Sequence, residues 1–187
     1  GAGDANSNVI DYITIASVGN ATDFGDLTQS INQCSGFSST TRGVRACGAN
    51  SGGTEQNVMD YVTIASTGNA TDFGDSTLNR RGQGGCSSPT RGLTGGGFTG
   101  SDNTNSIDYV TIASTGNAID FGDLISSVLG LNVRAASSHT VGTFIDSTVG
   151  IVSVTIASTG NATDFADLTG TTSDALMANS NGHGGIA

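Results

Sequence analysis

Four pairs of aspartates recur along the chain in one tetrapeptide context: Asp23 and Asp26, Asp72 and Asp75, Asp120 and Asp123, and Asp164 and Asp167. They hold eight of the 16 acidic residues, so whatever chemistry they do is done four times. Two carboxylates three positions apart form an oxygen-rich set of the kind Ca²⁺ takes. Backbone carbonyls and the nearby amides of Asn20, Asn69, Asn117 and Asn161 would add to it. The longer ligand series and closing Glu of an EF-hand loop are missing. The competing structural reading is an Asx turn, with each carboxylate capping local N–H groups or pairing with an Arg. Ca²⁺ is the one cofactor these residues suggest. The Asp-Phe-Gly triplet of protein kinases stands here without their Gly-rich loop, Lys or catalytic loop, so that chemistry is excluded.

Other reactive residues are sparse. His139 and His183 are the only histidines, and neither has the Ser and Asp neighbours of a triad. Cys34, Cys47 and Cys86 are odd in number and lack Cys-x-x-Cys spacing, which suggests free thiols rather than a zinc site or a full set of disulfides. Polysaccharide hydrolysis needs two carboxyls about 5 to 9 Å apart across a groove. The Asp pairs recur too evenly to single out one such site, and the expected class is non-enzymatic. Arg42 and Arg91 suit a bridging role, a guanidinium fork joining neighbouring units through carboxylates or carbonyls. Tyr12, Tyr61 and Tyr109 recur at one strand position as packing residues, and Phe24, Phe73, Phe121 and Phe165 recur in every copy as core.

These residues are positioned by an internal repeat of about 48 residues. IDYITIASVGNATDFGDLT (10–28) returns as MDYVTIASTGNATDFGDST (59–77), IDYVTIASTGNAIDFGDLI (107–125) and VSVTIASTGNATDFADLTG (152–170). The tyrosines lie 49 and 48 residues apart, and Val154 follows 45 residues after Tyr109. A second segment, SSTTRGVRACG (38–48), returns as SSPTRGLTGGG (87–97) and drifts to SSHTVGTF (137–144), where Val141 replaces the Arg. In the fourth copy NSNGHGGIA puts His183 at that place.

The composition carries 29 Gly, a single Pro and no Trp, a turn-dense all-β balance. All six basic residues are Arg, and the net charge of −10 opposes binding to phosphate backbones and to anionic lipid. No apolar run is long enough to span a bilayer, and no membrane insertion is expected.

Within a unit, Ile107 to Ser114 alternates as a strand, Gly-Asn-Ala-Thr-Asp makes a turn, and Phe121 to Leu124 makes a short strand. The Thr-Arg-Gly segment makes a third strand with close backbone approach at its glycines, and Leu78 to Cys86 has room for a fourth. The simplest architecture is all-β: one domain over 1–187, a small four-bladed β-propeller. In it Gly1-Ala2-Gly3 would continue the glycine-rich end of the last copy and so complete that repeat. A β-solenoid, a stacked β-prism, or a ring completed by several chains accommodates the same repeat.

The unit resembles the kelch-like repeats of virion proteins from tailed bacteriophages of aquatic bacteria, whose copies read like IDYVTIASTGNATDFGDL followed by CSSPTRG and a glycine pair. Here the pair is Gly95-Gly96, with Ala46-Cys47 in its place one copy earlier. The resemblance implies a virion location and a structural role as a tail-fibre or capsid-associated component. Its partners would be other virion subunits in a homo-oligomer. An alternative is a receptor- or glycan-binding adhesin module for host attachment, contacting a host surface glycan or protein through loops 48–57 and 97–106. The Asn-Ala-Thr triplets at Asn20, Asn69 and Asn161 are turn residues in that setting.

Overall fold

The computed structural model of the chain describes residues 6–126, 133–146 and 150–169. Fourteen strands follow in order: β1 (Ser7–Tyr12), β2 (Thr22–Ile31), β3 (Ser35–Ser38), β4 (Arg42–Ala49), β5 (Glu55–Thr63), β6 (Thr71–Arg80), β7 (Gly84–Ser87), β8 (Arg91–Gly95), β9 (Ser106–Thr111), β10 (Ile119–Asp123), β11 (Arg134–Ser137), β12 (Val141–Asp146), β13 (Gly150–Thr155) and β14 (Thr163–Ala166). They form an antiparallel two-stranded sheet, β1-β2, and three antiparallel four-stranded sheets, β3-β4-β5-β6, β7-β8-β9-β10 and β11-β12-β13-β14.

The all-β expectation holds, but the four-bladed kelch-like propeller does not: the sheets are not closed into a ring. They are laid on one another in chain order, first on second through β2 and β6, second on third through β3 and β7 and through β6 and β10, third on fourth through β7 and β11. The reason is local. Each Asp-Phe-Gly-Asp strand is hydrogen-bonded by its backbone directly to the Gly-Asn-Ala turn of the next sheet, which joins neighbours face to face and leaves no wedge between blades. Gly95 of the glycine pair serves this stacking, since its open face admits the Phe144 ring of the fourth sheet. The proposed completion of the last repeat by Gly1-Ala2-Gly3 lies outside the described residues, as does His183.

Each four-stranded sheet draws its strands from two sequence repeats. The Ser-Ser-x-Thr-Arg-Gly hairpin of one copy supplies the first two strands, and the hairpin of the next copy's Asp-Tyr and Asp-Phe-Gly-Asp segments supplies the other two. Strand pairing also corrects one alignment. Ser153 faces Thr163 as Tyr109 faces Ile119, so Ser153, not Val154, is the structural counterpart of the tyrosines.

Two apolar cores follow from the stacking. Phe37, Val44, Ala46, Met59 and Phe73 of the second sheet meet Val110 and Ile112 from the third. Cys86, Leu93, Ile107 and Phe121 of the third meet Phe144, Val152, Val154 and Ile156 from the fourth. Packed β-branched and aromatic side chains on facing sheets bury about 25 cal/mol for each Å² of apolar surface, which makes these junctions the main source of stability.

Candidate functional site

The recurring polar residues converge on the junctions between sheets. Gly68 N donates to Phe24 O at 2.7 Å and Ala70 N to Asp26 O at 2.8 Å; Gly116 and Ala118 do the same to Phe73 and Asp75, and Gly160 and Ala162 to Phe121 and Asp123. The asparagine between each pair closes the contact: Asn69, Asn117 and Asn161 Oδ1 accept the backbone N–H of Asp26, Asp75 and Asp123, each at 3.0 Å. Each Asp-Phe-Gly-Asp strand carries a β-bulge, between Asp23 and Gly25, Asp72 and Gly74, and Asp120 and Gly122, beside these backbone groups.

Of the eight aspartates suggested for Ca²⁺, Asp23, Asp72, Asp120, Asp164 and Asp167 are exposed, and Asp26, Asp75 and Asp123 are half-buried. Among the described residues no three His, Cys, Asp or Glu side chains come together to hold a metal ion. The amides counted as cation ligands at Asn69, Asn117 and Asn161 are occupied by backbone N–H groups.

Arg42 and Arg91 reach from one sheet to the next. Arg42 Nη1 donates to Ile112 O and Arg91 Nη1 to Ile156 O, both at 2.9 Å. Each guanidinium lies over a tyrosine of its own sheet, 4.4 Å from the Tyr61 centroid and 4.3 Å from that of Tyr109. Those tyrosines meet Phe73 and Phe121 edge-on with centroids 5.9 Å apart, and Tyr12 meets Phe24 likewise at 6.0 Å. Phe73 and Phe121 are buried and Phe24 is half-buried, but Phe165 is 61% exposed, contrary to its expected place in the core. Among the described residues no sheet lies beyond β14 to cover it. His139 is exposed in the turn between β11 and β12.

Arg45, Arg80, Asp60 and Asp108 are not among the candidate residues the repeat pattern points to, yet they form buried ion pairs. Asp60 is buried against Arg45 and accepts a 2.6 Å bond from Thr28 Oγ1 of the first sheet. Asp108 is buried against Arg80 at 2.6 Å and accepts from Ser76 Oγ at 2.5 Å and Thr77 Oγ1 at 2.6 Å. In the fourth sheet the same cross-strand place is apolar, with Phe144 facing Val152. The available signal was Asp60 and Asp108 preceding tyrosines in a strand whose flanking residues are apolar, a position where an unpaired carboxylate is costly.

Cys34 is exposed, and Cys47 and Cys86 are buried; all three are free thiols. Burial pushes the Cys86 thiol up to about 12. Among the described residues no helix is long and apolar enough to cross a membrane. No family model matches the chain, and no curated protein matches it in sequence.

Proposed function

We propose that the chain is a non-enzymatic structural component, a rigid stack of β-sheets that serves as a tail-fibre or capsid-associated part of a phage virion. The observation that carries this reading is the use of the recurrent polar groups. The Asn amides, the two bridging Arg residues, the Arg80–Asp108 pair and the Thr28–Asp60 bond all hold one sheet to the next. A repeat whose chemistry is directed inward, three junctions in succession, suits a spacer or shaft.

Loops 48–57 and 97–106 are tied down as well. Asn50 Oδ1 accepts from Gly52 N and Thr54 N, Glu55 pairs with Arg81 at 3.2 Å, and Arg81 covers the Phe98 ring at 5.2 Å. What supports the virion setting is the resemblance of the repeat motif. The partners in this reading are other virion subunits, and the exposed Ile13, Ile15 and Val18 in the loop between β1 and β2 offer them apolar surface.

Immunogold electron microscopy of purified particles with antibody raised against the chain tests the proposal. Regular labelling of a fibre, tail or capsid surface is the expected result. Absence of the chain from purified particles, by labelling and by mass spectrometry, would overturn it. Saturable cell binding that blocks particle adsorption would replace the shaft reading with an adhesin.

A further inference from the structure

Gly43, Gly92 and Gly142 occupy equivalent places in the second, third and fourth sheets, and their surroundings differ. A Cβ added at Gly92 would clash with Phe37 Cε2, from the sheet before, and one at Gly142 would stand 2.9 Å from Cys86 Sγ, again from the sheet before. One at Gly43 would meet only Val62 Cγ2 of its own sheet, at 3.5 Å. Thus β3-β4 covers the third sheet and β7-β8 the fourth, while no described residue covers the same place on the second sheet. A cavity of about 690 Å³ lies there, lined by Val9, Phe37, Gly43, Val44, Tyr61 and Val62 among others. Beside it stands β1, paired only with β2 among the described residues, so that the first sheet has two strands where the others have four.

We propose that this groove and the edge of β1 that no described strand pairs form a docking site for a β-hairpin of the repeat's own Ser-Ser-x-Thr-Arg-Gly type. The established junctions specify its residues. Tyr61 lies under Arg42 and Tyr109 under Arg91; where Val141 replaces the Arg, Ser153 replaces the Tyr. Tyr12 retains the ring, is 42% exposed, and has no described Arg above it. The neighbouring position repeats the pattern: Asp60 faces Arg45, Asp108 faces Thr94 and Val152 faces Phe144, while Asp11 is exposed.

A strand added to β1 therefore reads Arg-Gly-x-Arg or Arg-Gly-x-Thr, with its first Arg on Tyr12 and its fourth residue on Asp11. The stacked Arg also has a carbonyl to bond. Arg42 and Arg91 use Ile112 and Ile156, both fully buried, and the matching residue of the second sheet is Ile64, 47% exposed. The other strand of the hairpin brings an aromatic ring onto Gly43, as β3 brings Phe37 onto Gly92. Main-chain bonds along an open strand edge supply affinity in such strand addition, and the alternate side chains supply selectivity. The net charge of −10 favours an Arg-bearing partner.

A second copy of the chain is a poor occupant. Its β3-β4 and β7-β8 hairpins already cover their own next sheets, and β11-β12, paired to β13, carries Val141 in place of Arg. The inference goes beyond the virion reading and holds in whatever assembly the chain occurs.

The test uses the full chain and a fluorescent synthetic peptide with the sequence of residues 35–49, carrying Cys47→Ser. Saturable binding is expected, falling at least tenfold when the peptide carries Arg42→Ala. In the protein, Gly43→Ala leaves the fold intact because the added methyl meets only Val62, yet it obstructs the ring and lowers binding at least tenfold; Tyr12→Ser does so by removing the Arg platform. No saturable binding to protein with unaltered circular dichroism and melting temperature would overturn the proposal, as would binding indifferent to both Gly43→Ala and Tyr12→Ser. A dimer in the absence of peptide that Gly43→Ala dissolves would reassign the site to a second copy.

Discussion

A Cβ added at Gly74 would stand 2.5 Å from the carbonyl oxygen of Gly116, because the bulged strand β6 of the second sheet lies with its backbone directly against the Gly-Asn-Ala turn of the third. Gly74 also has φ +136°, where L side chains are rare. Gly25 and Gly122 repeat both features, and only at the last such position does the sequence carry a side chain, Ala166.

Gly74→Ala therefore sets a methyl against backbone that cannot yield without opening the junction. We expect a loss of at least ~3 kcal/mol, read from urea denaturation. Ala166→Gly, which removes a methyl where no described sheet follows, is expected to change stability by no more than about 1 kcal/mol. Equal effects at the two positions would show that the close approach does not hold the stack together.

Arg45 and Asp60 are a buried cross-strand ion pair whose counterpart in the fourth sheet is the apolar pair Phe144 and Val152. Arg45→Ala leaves the Asp60 carboxylate buried without its cation, and a destabilisation of about 3–5 kcal/mol is expected. The double change Arg45→Phe with Asp60→Val copies the fourth sheet, and Thr28, exposed, turns its hydroxyl to water. Denaturant melts of the double variant are expected to recover most of the loss.

The Cys86 thiol, raised by burial from 9.0 to about 12, holds its proton in the folded chain at pH values where an unfolded thiol has lost it. The folded state then binds more protons than the unfolded state, so stability is complete below about pH 9 and declines as pH rises toward 12. The slope from this group is about 1.4 kcal/mol per pH unit. Chemical denaturation at several pH values from 7 to 10.5 checks this, and Cys86→Ala is expected to remove that part of the alkaline decline.

Exposure separates the thiols by access. Maleimide at neutral pH is expected to label Cys34 in the native chain, with Cys47 and Cys86 labelled only after denaturation. Mass spectrometry of peptides from native and denatured samples reads the difference.

The strands were legible because their β-branched and aromatic residues alternate between turn signals, and the repeat was legible because the same residues return. Tyr109, Phe121 and the Thr-Arg-Gly segment could be placed on strands without coordinates. The stacking order was not. Four similar units, three of them with a glycine in the strand that follows the Asp-Phe pair, are compatible with a ring or with an open series, and the choice depends on what each glycine faces.

Residue type and spacing alone determined the all-β class, the period of the repeat and the recurrence of its carboxylates, amides and rings, since these rest on local propensity and on counting. Tertiary structure decided which sheet each residue serves. Gly74 meets Gly116 across 42 positions, Arg91 reaches Ile156 across 65, and Asp108 is held by Arg80 from the preceding sheet. Such contacts depend on distance in space, and the sequence separation of their partners carries no record of it.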